Sequence, residues 1–281
     1  MSVVKEVEKA VIKAGTSYSD DKFNALKAVY ERETDENAKW ALELMIKNVE
    51  VCKRDKIPLC DDTGVPHVLI ELGDKSDKLC TDFFEDIQKG IAIGLKNLPG
   101  RPMAVKGEDI ERIEQSMGLY KESEAVVPCS FILKKSVGEC VKVNILLLGG
   151  GSEIRAKTHA VFHKKDYRNI FNNGFNHLKD SLPLLGCTPT IPAIGVGRTH
   201  YEANSLMIEA MAYGNLKKQS NLEKEFTERI NQLKIGPMGL GGDTTALGTF
   251  INIGPQRASG VRILAIRPTC FVEPRVASFE L

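Results

Sequence analysis

The chain has 281 residues, enough for one large domain or two lobes with an ample core. With 42% hydrophobic and 27% charged residues it has the balance of an ordinary folded protein, and a net charge of +1 gives no overall attraction to nucleic acid or to a membrane surface. Lys5, Glu6, Glu8 and Lys9 interrupt the start where a signal peptide needs an apolar run, and apolar stretches such as residues 143–148 fall far short of the ~20 residues that span a bilayer, so a cytoplasmic location is expected.

Val3, Val4, Val7, Ala10 and Val11 recur at helical spacing. A long helical region follows over residues 20–54, with Thr34-Asp35 capping a second helix inside it. Phe23, Leu26, Val29 and Tyr30 form one apolar face, and Trp40, Leu44 and Val51 another. VPHVLIELG reads as a strand, residues 83–94 as a helix and residues 108–117 as a further one. AVVPCSFILKK and CVKVNILLLGGG read as two strands, paired through Ser136-Val137-Gly138. Residues 156–178 read as mostly helical, which puts His159 and His163 on one helix face. CTPTIPAIGVG has too much Pro and Gly for a helix, whereas residues 201–213 and 222–233 have helical patterns. GVRILAIRP reads as a strand that delivers Cys270. Strands and helices do not alternate regularly, so the expected class is α+β, with a helix-rich N-terminal part, a mixed or antiparallel sheet, and a cleft between two lobes. Residues 1–281 are expected to form one domain, with two lobes as the variant of that reading.

Seven cysteines stand at 52, 60, 80, 129, 140, 187 and 270. The odd count, the wide spacing and the lack of a CxxC pair exclude a disulfide framework and a zinc ribbon. Cys52, Cys80, Cys129 and Cys140 sit within or beside apolar or helical patterns and read as core filler. Cys60, Cys187 and Cys270 each lie beside a proline or glycine, in a loop or at a strand end. Cys60 also precedes Asp61 and Asp62, and neighbouring carboxylates make a thiol a poor nucleophile. A metal-bound thiolate escapes that objection, because the cation holds the sulfur deprotonated.

Three glycine-rich stretches recur, LLLGGGSE, GCTPTIPAIGVGRT and IGPMGLGGDTTALG. In the third, Gly242-Asp243 stand where a phosphate loop needs its lysine and hydroxyl, and an acid there repels phosphate. His200 breaks the dinucleotide fingerprint in the second. Tight turns explain any one stretch alone, while the three together favour a shared cleft for a small anion. His159 and His163 lack the glutamate of a metalloprotease helix, Ala160 standing in its place, and a solvated or packing role is favoured. Arg101, between Pro99 and Pro102, is either a surface-loop arginine or a fork for a carboxylate.

Taken in order, CDDTG, GGGSE, Cys-x-Pro-x-Ile with its GxGxT continuation, and IGPMGLGGDTTALG resemble the class I, iron–sulfur-dependent fumarases and L(+)-tartrate dehydratases, over about residues 5–275. The length resembles that of the separate α subunit of the two-subunit members. The single-chain members carry a further C-terminal domain. The resemblance implies a [4Fe–4S] cluster held by Cys60, Cys187 and Cys270, with a fourth iron that binds substrate oxygen as a Lewis acid. It implies Asp62 as the loop acid of the proton chemistry, Arg101 as a ligand for a substrate carboxylate, and Gly150 and Gly151 as a turn that approaches the substrate. It also implies a β subunit that supplies further catalytic groups, in a dimer of αβ units. The implied reaction is the reversible hydration of a small dicarboxylate: fumarate/malate first, then tartrate or a methylmalate. Three positions depart from the family pattern. Asp61 stands in place of Gln, Asp243 where many members have Lys, and Ala258 where the family has a substrate-binding histidine, with Arg257 as the neighbouring candidate to replace it. The rival classes are a paralogue that has lost turnover and serves as scaffold or iron sensor, and a thiol enzyme that uses Cys60.

Overall fold

The computed structural model describes residues 2–74 and 81–281, so Cys80 lies outside the described residues. In chain order the elements are α1 (Val3–Thr16), α2 (Asp20–Arg32), α3 (Glu36–Asp55), β1 (Val65–Leu72), α4 (Thr81–Asn97), α5 (Asp109–Glu114), β2 (Ser130–Lys135) and β3 (Val141–Leu148). The single turn α6 (Gly150–Glu153) follows, then β4 (Lys157–Phe162), α7 (Arg168–Ser181), β5 (Ala193–Gly197), α8 (His200–Tyr213), α9 (Asn221–Asn231), β6 (Phe250–Ile253), β7 (Val261–Arg267) and β8 (Arg275–Glu280). The fold is α+β with two mixed sheets and helices leading the chain, as the sequence predicts. Among the described residues, no helix is long and apolar enough to cross a membrane.

The chain divides into two compact units, residues 1–17, 50–149 and 275–281 in the first, and residues 18–49 and 150–274 in the second. The first unit carries the sheet β2-β1-β3-β8, in which β1 runs parallel to β2 and antiparallel to β3. Its core gathers Val7 and Val11 of α1, Ile87, Ile91 and Leu95 of α4, and Val68, Ile70, Val143, Ile145 and Leu147 of the sheet. Helices α1 and α4 touch because Gly90 and Gly94 have no side chain. A Cβ at either position would come within 2.6 Å of the Cβ of Val7 or of Val11.

The second unit carries the sheet β4-β7-β5-β6, with β5 parallel to β6 and antiparallel to β7. Its core joins Ile194 and Val196 of β5, Leu264 and Ile266 of β7, Ile170, Phe171 and Leu178 of α7, and Phe226 and Ile230 of α9.

Four expectations need correction. β2 and β3 are both strands but do not pair with each other, because β1 lies between them, with His67 opposite Ser130 on one side and Leu146 on the other. A strand buried on both faces gains a ladder on each edge, and a short connection cannot reveal that a distant strand fills the space between its ends. Residues 157–162 form β4 rather than a helix, pairing with β7 at His159 opposite Leu264. The alternating, β-branched run KTHAVF suits a pleated strand, so His159 and His163 share no helix face. The cap at Asp35 is as expected, its Oδ1 accepting from the Ala38 N–H at 2.9 Å, but the Trp40, Leu44 and Val51 face of α3 is exposed. Ala38, Leu42, Met45, Val49 and Cys52, the better helical repeat, are buried instead. Finally, Cys140 is exposed rather than core filler, while Cys52 is buried and Cys129 packs half-buried against the first core. The short strands β6 and β8 have no counterpart in the sequence reading.

Candidate active site

The CDDTG loop leaves α3 and enters β1 in the first unit. Three contacts fix its approach. The Cys52 thiol donates to the Pro58 carbonyl at 3.3 Å, the Leu59 N–H donates to the Gly15 carbonyl at 2.9 Å, and the Gly64 N–H donates to Asp62 Oδ1 at 3.2 Å, closing an Asx turn. Arg275, 2% exposed at the start of β8, donates from Nη1 to the Asp62 carbonyl at 2.7 Å and from Nε to the Leu147 carbonyl at 3.2 Å. A cation so deeply buried has to spend its donors on oxygens, and here they tie the loop to the end of β3. Gly64 makes this possible. Its φ is +84°, and a Cβ there would lie 2.6 Å from Arg275 Nη2 and 2.8 Å from the Leu148 nitrogen.

Arg101 comes to this loop from the turn after α4. Its backbone N–H donates to Thr63 Oγ1 at 2.7 Å, and its Nη1 lies 3.0 Å from Asp61 Oδ2. A cavity of about 320 Å³ opens here, lined by Pro58, Cys60, Asp61, Thr63, Pro99 and Arg101. The structure thus brings Cys60 and Arg101 to one concavity, with Asp62 half-buried in the same loop.

Cys187, Cys270, Gly150 and Gly151 belong to the second unit. The two cysteine turns are laced together by buried threonines. The Thr269 N–H donates to Thr190 Oγ1 at 3.0 Å, the Thr269 hydroxyl donates to the Ile191 carbonyl at 3.0 Å, and the Ile191 N–H donates back to Thr269 Oγ1 at 2.9 Å. Phe271 adds an N–H to the Cys187 carbonyl at 2.8 Å. The turn that carries Gly150 and Gly151 joins through Ser152, which is buried and accepts from the Cys270 N–H at 3.2 Å. One residue on, Glu153 pairs with Arg267, whose fully buried guanidinium also reaches Glu273 Oε1 at 3.4 Å. The third glycine-rich stretch closes on the other side. The Met238 N–H donates to the Thr188 carbonyl at 2.9 Å, and the Thr190 N–H donates to the Thr245 carbonyl at 2.9 Å. Residues 150–153 and the third glycine-rich stretch therefore both meet the cysteine turns through hydrogen bonds within the second unit.

Tyr18 donates its hydroxyl to the Phe271 carbonyl, and its ionisation is pushed well above the usual range. Burial is the main cause, with the negative charges of Cys270 and Asp21 adding to it. The phenol therefore stays a donor at any physiological pH.

The remaining candidates are dispersed. Ala258 and Arg257 sit on the exposed loop between β6 and β7. Asp243 is ion-paired with Lys234. His159 bonds to Asn173, and His163 places its Nε2 3.0 Å from the Ser259 carbonyl, a packing role for both. The sequence reading missed Arg275, Arg267, Glu273, Thr190 and Thr269. The signal for the arginines was an arginine at each edge of the apolar and proline-rich segment around Cys270, in RPTC and EPRV.

No disulfide joins the described cysteines, and within neither unit do three described His, Cys, Asp or Glu side chains group as a metal-binding set. Cys60 belongs to the first unit and Cys187 and Cys270 to the second, so neither unit alone carries all three. The donor chemistry nonetheless fits iron and sulfide: three thiols, each on a turn fixed by backbone hydrogen bonds instead of packed away in the core.

The fold and these turns define an α+β protein with thiol-bearing loops held rigid by buried threonines and arginines. Comparison with known proteins makes this specific. Residues 4–280 match the model of the family described as fumarate hydratase (Fumerase). A Methanocaldococcus jannaschii protein described as "Putative L(+)-tartrate dehydratase subunit alpha" is 30% identical over 243 residues, covering 83% of this chain and 82% of that protein. The L(+)-tartrate dehydratase subunit alpha of Escherichia coli strain K12 is 21% identical over 265 residues, covering 92% and 84% respectively. The chain belongs to the fumarate hydratase (Fumerase) family, whose members are hydro-lyases.

Proposed function

We propose that this chain is the α subunit of a cytoplasmic [4Fe–4S] hydro-lyase that reversibly hydrates a small dicarboxylate, with fumarate and malate as its leading pair. The observation that carries this reading is the cavity where Cys60 and Arg101 share one wall in a chain of the fumarate hydratase family. Cys60, Cys187 and Cys270 would hold the cluster, which when bound supplies a Lewis-acidic iron that polarises the substrate hydroxyl. Arg101 would bind one substrate carboxylate, and its fixed backbone limits how far the guanidinium can wander. Dehydration breaks a C–O bond on one carbon and a C–H bond on the next. Asp62 takes the proton from that second carbon, and returns it in the hydration direction. Its loop is anchored by Arg275, which donates to the Asp62 backbone carbonyl and so holds that residue's backbone in place.

Gly150 and Gly151 would meet the substrate closely. A Cβ at Gly151 would find nothing within 4 Å, which leaves the space beside this turn open to a ligand. The relatives named as subunit alpha support a β subunit as partner, and the assembly proposed is a dimer of αβ units.

A second reading, tartrate as the substrate, is favoured by the names of those relatives. Anaerobic reconstitution with iron and sulfide tests the centre: a broad visible absorbance is expected, lost in Cys187→Ser and Cys270→Ser. A chain that binds no iron under these conditions refutes the proposal. Turnover with the β partner against fumarate, malate, tartrate and methylmalates then separates the substrates.

A further inference from the structure

We propose that Asp61 is an internal stand-in for the substrate carboxylate, occupying Arg101 until a dicarboxylate displaces it. The inference rests on the reading of Arg101 as the carboxylate ligand. It starts from the geometry of one short segment. Thr63 is buried and holds the Arg101 backbone, so the guanidinium is rooted at a fixed point beside the cavity. Asp61, two residues before Thr63, places Oδ2 3.0 Å from Arg101 Nη1. Both groups line the same cavity as Cys60. A carboxylate already sits where an incoming carboxylate would bind.

The pair is built to be broken. The Asp61 side chain is 86% exposed and that of Arg101 49%, so water can take over Asp61 as it swings away. The contact runs through one oxygen and one nitrogen, whereas a free carboxylate can meet the guanidinium fork with two parallel hydrogen bonds. The bidentate ligand wins, at a concentration raised by whatever the internal pair is worth. An amide at position 61 would neither hold Arg101 by charge nor repel a dianion. Asp61 therefore lowers the affinity of the site for every carboxylate and keeps Arg101 aimed into the cavity when the site is empty.

The test is a double-mutant cycle on the full chain, anaerobically reconstituted, with dissociation constants for L-malate and succinate measured by titration calorimetry at fixed ionic strength. Asp61→Asn is expected to tighten both ligands by about 2- to 5-fold, the worth of an exposed ion pair. Arg101→Gln is expected to weaken both, and Asp61→Asn made in the Arg101→Gln background should give no gain. An equal gain in both backgrounds would show that Asp61 acts as a general negative charge, and the proposal fails. No effect of Asp61→Asn beside a clear loss in Arg101→Gln also overturns it, while leaving Arg101 as the carboxylate ligand. If Arg101→Gln changes nothing, the reading of Arg101 falls and this inference falls with it. Circular dichroism of each variant checks folding, which substitution at an exposed side chain should leave intact.

Discussion

Replacing Gly64 by alanine tests the architecture of the CDDTG loop without touching any group that carries chemistry. At φ +84° an alanine sits in the left-handed region at a cost of about 1–2 kcal/mol. Its Cβ would also lie 2.6 Å from Arg275 Nη2, 2.8 Å from the Leu148 nitrogen and 2.9 Å from the Leu147 carbonyl carbon. Two of these are backbone atoms at the paired end of β3, so the loop has to move. The movement stretches the 2.7 Å bond from Arg275 to the Asp62 carbonyl, and a hydrogen bond from a charged donor is worth about 1.5–3 kcal/mol. Partial loss of that bond together with the backbone strain comes to about 3 kcal/mol. With a urea slope of about 2 kcal/mol/M, the unfolding midpoint followed by circular dichroism should fall by about 1.5 M. Amide exchange should accelerate first at residues 62–64 and at the end of β3. A Gly64→Ala midpoint within about 0.2 M of the unmodified chain would mean that the loop is not pinned as described, and the account of Arg275 would fall with it.

Gly151→Ala is the matched contrast. With no atom within 4 Å of the new Cβ it should leave the midpoint unchanged, yet weaken dicarboxylate binding by about 10-fold in calorimetry if this turn meets the substrate. Thr269→Val keeps the shape but strands the Ile191 N–H and carbonyl in the interior, and should destabilise the chain by about 2 kcal/mol in urea titrations, with Thr269→Ser retaining most of that stability. Burial pushes the Cys129 thiol up to about 11, against an ordinary value of 9.0. At pH 8 iodoacetamide should therefore label exposed Cys140 and spare Cys129, as read by peptide mass spectrometry. Because the folded value is the raised one, the stability tied to the neutral thiol is complete below pH 9 and is lost as pH rises towards 11.

Local pattern carried the sequence reading a long way. The helical spacing of Val7, Ala10 and Val11 fixed α1 and its buried face, and the Pro- and Gly-flanked settings of Cys60, Cys187 and Cys270 separated them from core thiols such as Cys52. Those settings matter because the backbone conformation of a turn is specified within a few residues. The same locality explains the failures. KTHAVF has apolar spacing that fits a helix or a strand, and its pairing with β7, about a hundred residues away, decided for the strand. The α3 stripe of Trp40, Leu44 and Val51 offers large apolar side chains, yet the fuller repeat of Ala38, Leu42, Met45, Val49 and Cys52 is the face that packing buries.

What the sequence by itself determined is the α+β class, most element positions, the thiol-bearing turns and the family to which the chain belongs. The tertiary structure alone placed β1 between β2 and β3, and buried Arg275 against the backbone of Asp62. It alone laced Thr190 to Thr269, and closed Asp61 onto Arg101 across 40 positions. The physical reason is the cost of burying charge and polar backbone. An arginine or threonine taken from water has to find oxygens or N–H groups to bond, and which ones it finds depends on what the whole fold brings within about 3 Å.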